Sequence, residues 1–179
     1  MALHTYSPLP GFPELRGMRT RLRAPRDNDR ERLAGVVADP SRYLLECLEF
    51  VQQGDRIDWV VACRHDDLAI GTCTLHAIDR RTRRAMIGYA LHPDSRGRGF
   101  ATDAVARAMS WAVDAIGIEH FDADVDATNA ASQRVLRRLG FTPLDALRWT
   151  LQPRASRAAT AGSVLPSRNS RKAPPPVEM

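Results

Sequence analysis

Residues 96 to 101 read Arg96-Gly97-Arg98-Gly99-Phe100-Ala101, between an apolar run ending at Leu91 and a helical pattern beginning near Thr102. Two glycines permit a tight turn whose backbone approaches a ligand closely. The following helix directs unpaired N–H groups and the positive end of its dipole into the same space. Such an arrangement suits a diphosphate. The same residues are compatible with a solvated turn that merely starts a helix, so the neighbours must arbitrate. The loop lacks the Gly-x-x-x-x-Gly-Lys-Ser/Thr spacing of a nucleoside-triphosphate site, and it lacks the third glycine and ribose-binding acid of a dinucleotide fold.

Outward from the loop, hydrophobic periodicity sets the elements. Trp59 to Arg64, Ala69 to Ile78 and Arg84 to Leu91 read as successive antiparallel strands, turning at Asp66-Asp67 and through Asp79 to Arg83. Met18 to Ala24 is a first strand, Asp27 to Ala38 a helix capped by an acidic residue, and Pro40 to Gln53 a second helical stretch. After the loop, Ala101, Val105, Ala108, Met109, Ala112 and Ile116 recur at helical spacing until Gly117. Phe121, Ala123 and Val125 then alternate with Asp122, Asp124 and Asp126, as in a strand with one buried face. Asn129 caps a last helix that turns Ser132, Val135, Leu136 and Leu139 inward and ends at Gly140.

A chain of 179 residues with 44% hydrophobic content is the size of one domain. No apolar run approaches the roughly 20 residues that cross a bilayer, and no basic then hydrophobic leader opens the chain, so a cytoplasmic location with no membrane partner is expected. Cys47, Cys63 and Cys73 have no metal-ligand spacing and read as reduced, mostly buried side chains; no metal site is expected. The net charge of +5 is concentrated at the end of the chain: after Gln152, five basic residues against Glu178 give +4 and leave +1 for the rest. A nucleic-acid partner is therefore not favoured over a solvated basic tail. The division expected is an irregular arm over 1 to 17, a folded domain over 18 to 151, and a low-complexity, disordered tail over 152 to 179 with prolines at 174 to 176.

From Arg19 to about Leu144 the chain resembles the GNAT superfamily of N-acetyltransferases, and within it the ribosomal-protein N-terminal acetyltransferases. The family's phosphate-binding signature, Gln/Arg-x-x-Gly-x-Gly/Ala, is met by Arg96, Gly99 and Ala101. The closer likeness lies in Arg21-Leu22-Arg23 with Asp27 to Asp29, in Ile70-Gly71-Thr72, in Ile87-Gly88-Tyr89 with Leu91-His92-Pro93, and in Asn129-x-x-Ser132 with Leu139-Gly140-Phe141.

The resemblance implies an α+β fold: a mixed, mostly antiparallel central sheet flanked by helices, with two strands splayed into a V-shaped cleft for acetyl-CoA. It implies that main-chain groups near Tyr89, Ala90 and Leu91 hold the pantetheine arm, and that Arg96, Gly97, Arg98, Gly99, Phe100, Ala101 and Thr102 hold the diphosphate. A backbone N–H near Tyr89 would also stabilise the oxyanion. Asn129, with Ser132, would reach the cofactor from the opposite side; a simple helix cap explains Asn129 equally well. Such families continue after Leu-Gly-Phe with two paired strands that wall the substrate pocket. Ala146 to Leu151 supplies one, and no second one follows it.

The implied reaction is direct attack of a neutral amine on the acetyl carbonyl through a tetrahedral intermediate. Deprotonating a lysine of pKa about 10.4 near pH 7 costs roughly 4 to 5 kcal/mol, against roughly 1 kcal/mol for an α-amine of pKa about 7.7 to 8.0. The sequence is poor in bases. Where many relatives carry Ala-Glu-Ile-Gly this chain has Ala85-Met86-Ile87-Gly88, and where many place a tyrosine acid it has Leu136. Ser132 matches the serine given the acid role in the ribosomal-protein branch, although a serine bonding its own helix backbone is commoner. His76, Asp79 and His92 are the remaining candidates for a base. Trp59 and Trp111 read as core, while Trp149 would line the acceptor site. The activity expected is acetyl transfer to a protein N-terminal amine, with a small-molecule amine as the enzymatic alternative and a catalytically impaired CoA-binding interaction module as the non-enzymatic one. Homodimers are familiar in this branch.

Overall fold

The computed structural model describes residues 12 to 152. Eight strands form one sheet in the order β1-β2-β3-β4-β5-β6-β8-β7. The first five, β1 (Leu15–Arg16), β2 (Thr20–Arg23), β3 (Ile57–Cys63), β4 (Ala69–Asp79) and β5 (Arg84–Leu91), run antiparallel to their neighbours. The next strand, β6 (His120–Asp124), is parallel to β5, and β7 (Thr142–Pro143) and β8 (Arg148–Leu151) return antiparallel. The helices are α1 (Arg30–Leu33), α2 (Pro40–Gln53), α3 (Phe100–Ile116) and α4 (Ala130–Arg138).

The long helix α3 covers one face of the sheet. Its Val105, Ala108 and Ala112 are buried against Trp59, Leu75, Ile87, Phe121 and Ala123. Each large apolar side chain fully removed from water there stabilises the fold by about 1.5 to 3 kcal/mol. Trp59 donates its indole N–H to the Pro13 carbonyl at 2.7 Å and meets Trp111 edge to face, with ring centroids 5.7 Å apart. On the opposite face a smaller cluster of Leu33, Val60 and Ala69 is covered by Val36, Val37, Tyr43 and Leu44. Pro40 starts α2, and the Asp39 carboxylate caps it by accepting from the Arg42 N–H at 3.0 Å. The cysteines are unpaired; burial pushes the Cys47 thiol up to about 12 and moves Cys73 the same way, so both remain neutral thiols.

Several boundaries differ from the sequence reading. Leu15–Arg16 lies in the segment expected to be an irregular arm, yet it pairs with β2 and buries Leu15; residues 1 to 11 lie outside the described part. The helix expected over Asp27 to Ala38 is a 3-10 turn, Asp27–Asp29, followed by the single turn of α1. Asp29 accepts from the Arg26 N–H at 2.8 Å, and Arg23 also binds its carboxylate bidentately at 2.7 and 2.8 Å, deep in the structure. The second wall strand was sought after Leu151, but it precedes β8 as Thr142–Pro143. Its two residues are exposed and end in a proline, which suits a sheet edge and leaves no alternating pattern to read. Trp149 is a core residue, 3% exposed, with the Arg137 guanidinium over its ring. The tail expected over 152 to 179 lies, from 153 onward, outside the described residues.

Candidate functional site

Two adjacent strands part company beside the loop. β5 and β6 pair only at Arg84 with His120, Ala85 with Phe121 and Met86 with Asp122. Beyond that point Ile87 to Leu91 stay on β4, while Ala123 and Asp124 stay on β8. The strands diverge toward their C-terminal ends, and α3 begins where β5 finishes.

The cleft between them opens into a groove of about 330 Å³. One wall is Tyr89, Ala90 and Leu91 of β5, the floor is the loop from Arg96 to Thr102, and the other wall is Asn129 and Ser132 of α4. Gly97 and Gly99 have φ of +75° and +81°, conformations that side chains strain to adopt. The main-chain N–H groups from Gly97 to Thr102 donate to no acceptor among the described residues. They are exposed donors at a helix N-terminus, and they fit a diphosphate. The Arg96 guanidinium ties the loop to β5 by donating to the Leu91 carbonyl at 3.1 Å.

Across the groove, the Tyr89 hydroxyl donates to the Ser132 carbonyl at 3.2 Å, and burial pushes the phenol up. Asn129 accepts from the Ser132 N–H at 3.0 Å, so it does cap α4, and it faces the groove as well. Arg98 is the loop residue that turns away: its guanidinium lies over the Phe100 ring, in a separate depression with Met18 and Arg19. Arg134, Val135 and Arg138 also line the groove and were missed. Their spacing along α4 was visible, but which stripe of that helix meets the cleft follows only from its docking.

The three candidates for a base are scattered. His76 lies opposite Met86 in register, at the level where the strands part. Burial, then Arg56, lowers its pKa against the opposing pull of Asp58 and Asp124, so the imidazole is neutral near pH 7. Asp79 is beyond that level, its Oδ1 accepting from the Arg81 and Thr82 N–H groups at 2.9 and 3.1 Å. The Thr82 hydroxyl, then these main-chain bonds, hold its carboxyl below the ordinary range. His92 stands at the far end of β5, roughly 20 Å along the strand from Met86. Its ring packs against Gly35, and its Nδ1 accepts from the Asp94 N–H at 3.4 Å. Leu136, where a tyrosine acid would stand, is fully buried.

Residues 19–142 match the family model described as an acetyltransferase (GNAT) domain. The chain belongs to the GNAT acetyltransferase family. It is 30% identical over 154 residues to YoaA of Bacillus subtilis, described as an uncharacterized N-acetyltransferase, spanning 76% of this chain and 87% of that protein. Among solved structures it is similar to Mycobacterium smegmatis RimJ in complex with CoA-disulfide, with a TM-score of 0.69 at 18% identity over 79% of this chain and 88% of that one. It is similar also to the ribosomal-protein-S5-alanine acetyltransferase of Vibrio fischeri, with a TM-score of 0.64 at 20% identity over 78% and 96%. This GNAT protein is thus an N-acetyltransferase, and acetyl-CoA is its acetyl donor. Among its described residues no helix is long and apolar enough to cross a membrane, and no cluster of His, Cys, Asp or Glu is arranged to hold a metal.

Proposed function

We propose that this GNAT enzyme acetylates the α-amine of a protein N-terminus. The observation that carries the reading is the scarcity of acid–base groups where β5 and β6 part: Met86 stands where the family resemblance implies a glutamate, and Leu136 is sealed in the core. A site with so little acid–base machinery favours an amine that is already partly neutral. An α-amine meets that need at a cost of about 1 kcal/mol, several kcal/mol less than a lysine side chain. The likeness to an enzyme named for the alanine of a ribosomal protein is in keeping with this choice.

On this reading the residues of the groove divide the work. Main-chain donors from Gly97 to Thr102, with Arg96, hold the diphosphate, and β5 from Tyr89 to Leu91 bonds the pantetheine arm as an added strand would. Asn129 holds the cofactor from α4. The donor supplies an activated acetyl group on a thiol leaving group. Ser132, at the groove wall, delivers the proton that the leaving sulfur requires, and of His76, Asp79 and His92 it is His76 that stands at the level where the strands part.

Incubation with acetyl-CoA and a panel of peptides, polyamines and amino acids, reading free thiol and product mass, tests the proposal. Acetylation of peptide α-amines in preference to lysine side chains and small amines is expected. Transfer confined to small-molecule amines contradicts it, and CoA binding without turnover of any amine would select the interaction-module alternative.

A further inference from the structure

The two faces of the sheet differ at the parting of the strands. On the α3 side, Ala85 and Ile87 of β5 and Phe121 and Ala123 of β6 are buried beneath the helix. Their sequence neighbours Met86, Gly88, Asp122 and Asp124 project from the other face and are not fully buried. Met86 and Asp122 form the last register pair before the strands diverge.

Asp122 therefore brings a carboxylate to the face, and to the level, from which Met86 withdraws one. The two positions are adjacent strands, about 4.8 Å apart in the hydrogen-bonding direction. Asp122 Oδ2 accepts from Arg84 at 2.7 Å, which fixes the side chain. Oδ1 is buried and has no hydrogen-bond partner among the described residues. Thr150, paired with Asp122 from β8, donates its hydroxyl to the Phe121 carbonyl at 3.4 Å and stands beside the Asp122 carboxylate. Two neighbouring pairs are already engaged: Asp124 with Arg148 at 3.5 Å, and Arg56 with Asp58 at 2.5 Å. A buried carboxylate oxygen left without a partner is a desolvation cost that a folded protein seldom leaves uncompensated, unless a ligand supplies the donor.

We infer that Asp122 Oδ1 receives the acceptor nitrogen, aims it at the acetyl carbonyl, and stabilises the positive charge that grows on it during attack. The inference rests on the amine-acetylation reading above. The neutral amine donates one N–H to Oδ1 while its lone pair forms the N–C bond, and the carbonyl π pair moves to oxygen. The nitrogen becomes cationic beside the carboxylate, where fixed negative charge lowers the barrier. As the carbonyl re-forms, the C–S bond breaks with its electron pair on sulfur. The nitrogen's proton then replaces the one that Ser132 delivers to the sulfur, leaving an amide and a thiol. Arg84 keeps Asp122 ionised: burial pushes the carboxyl up, but the guanidinium and the Thr150 hydroxyl together outweigh it and hold the group below the ordinary range.

Steady-state kinetics on wild type, Asp122→Asn and the double variant Met86→Glu/Asp122→Asn test this, with acetyl-CoA affinity and thermal midpoint measured alongside. The acceptor is whichever panel amine the wild type uses, so a change of acceptor class revises the substrate reading and leaves this test intact. Asp122→Asn should lower kcat ten- to hundredfold at unchanged acetyl-CoA affinity. The double variant, with its carboxylate moved one strand over, should recover at least tenfold. An unchanged kcat in Asp122→Asn overturns the inference. So does a loss that follows the thermal midpoint and is not recovered in the double variant, because Asp122 would then only anchor Arg84.

Discussion

The carboxylate of Asp103, in the first turn of α3, accepts the Thr20 hydroxyl at 2.6 Å. It also accepts the main-chain N–H groups of Met18, Arg19 and Thr20 at 3.0, 3.0 and 2.9 Å. A Cβ at Gly17 would lie 2.3 Å from the same carboxylate. One side chain thus staples the entry of β2 to the helix whose N-terminus faces the cofactor, and Arg19 adds a second tie by donating to the Arg98 carbonyl at 2.9 Å.

Two substitutions expose this staple. Asp103→Ala leaves several donors unpaired, and Gly17→Ala pushes a methyl into the carboxylate. Each should lower unfolding stability by about 1 to 3 kcal/mol in urea titrations. Burial pushes the Asp103 carboxyl up, but its hydrogen bonds outweigh this and hold it below the ordinary value. A depressed carboxyl contributes stability that is complete above its unfolded pKa of about 3.9 and is lost as pH falls through the lower folded value. Wild type should therefore lose more stability than Asp103→Ala on acidification below about pH 4. Parallel pH curves would show the staple to be weak.

Arg23→Ala should cost more. Its guanidinium is 3% exposed and pairs with Asp29 at 2.7 Å, so its removal strands a buried carboxylate. The expected loss is about 3 to 5 kcal/mol, measurable as a fall in the denaturation midpoint. A loss below about 1 kcal/mol would mean that water reaches Asp29.

Arg134 and Arg138 add positive charge to the α4 wall of the groove. Replacing either with Ala should weaken CoA binding several-fold at low ionic strength and less at high salt, because screening shortens the reach of the charge. Titrations at two salt concentrations check this. Equal affinity of variant and wild type at low salt would exclude the arginines from cofactor binding.

Much of the fold was legible because periodicity and punctuation agreed. The strand from Arg84 to Leu91 and the helical spacing from Ala101 to Ile116 both follow from one-sided burial. β1 and β7 were not legible, since two-residue strands have no period. In the site, the glycine loop was readable because positive φ selects glycine. The alternation of Phe121, Ala123 and Val125 with the aspartates showed only which side of β6 is buried. That Asp122 stands beside Met86 depends on the register of two strands joined through a long helix, and such a register is set by packing rather than by local sequence.

Calorimetric titration of CoA into wild type and Gly99→Glu tests the central claim most directly. Gly99 has nothing nearer than 3.8 Å to an added Cβ, so the domain should keep its fold, which circular dichroism verifies. The new carboxylate, on a backbone at φ +81°, would stand among the diphosphate donors. The account predicts a loss of CoA affinity of at least about tenfold, or roughly 1.4 kcal/mol. A folded variant that binds CoA as tightly as wild type would contradict it.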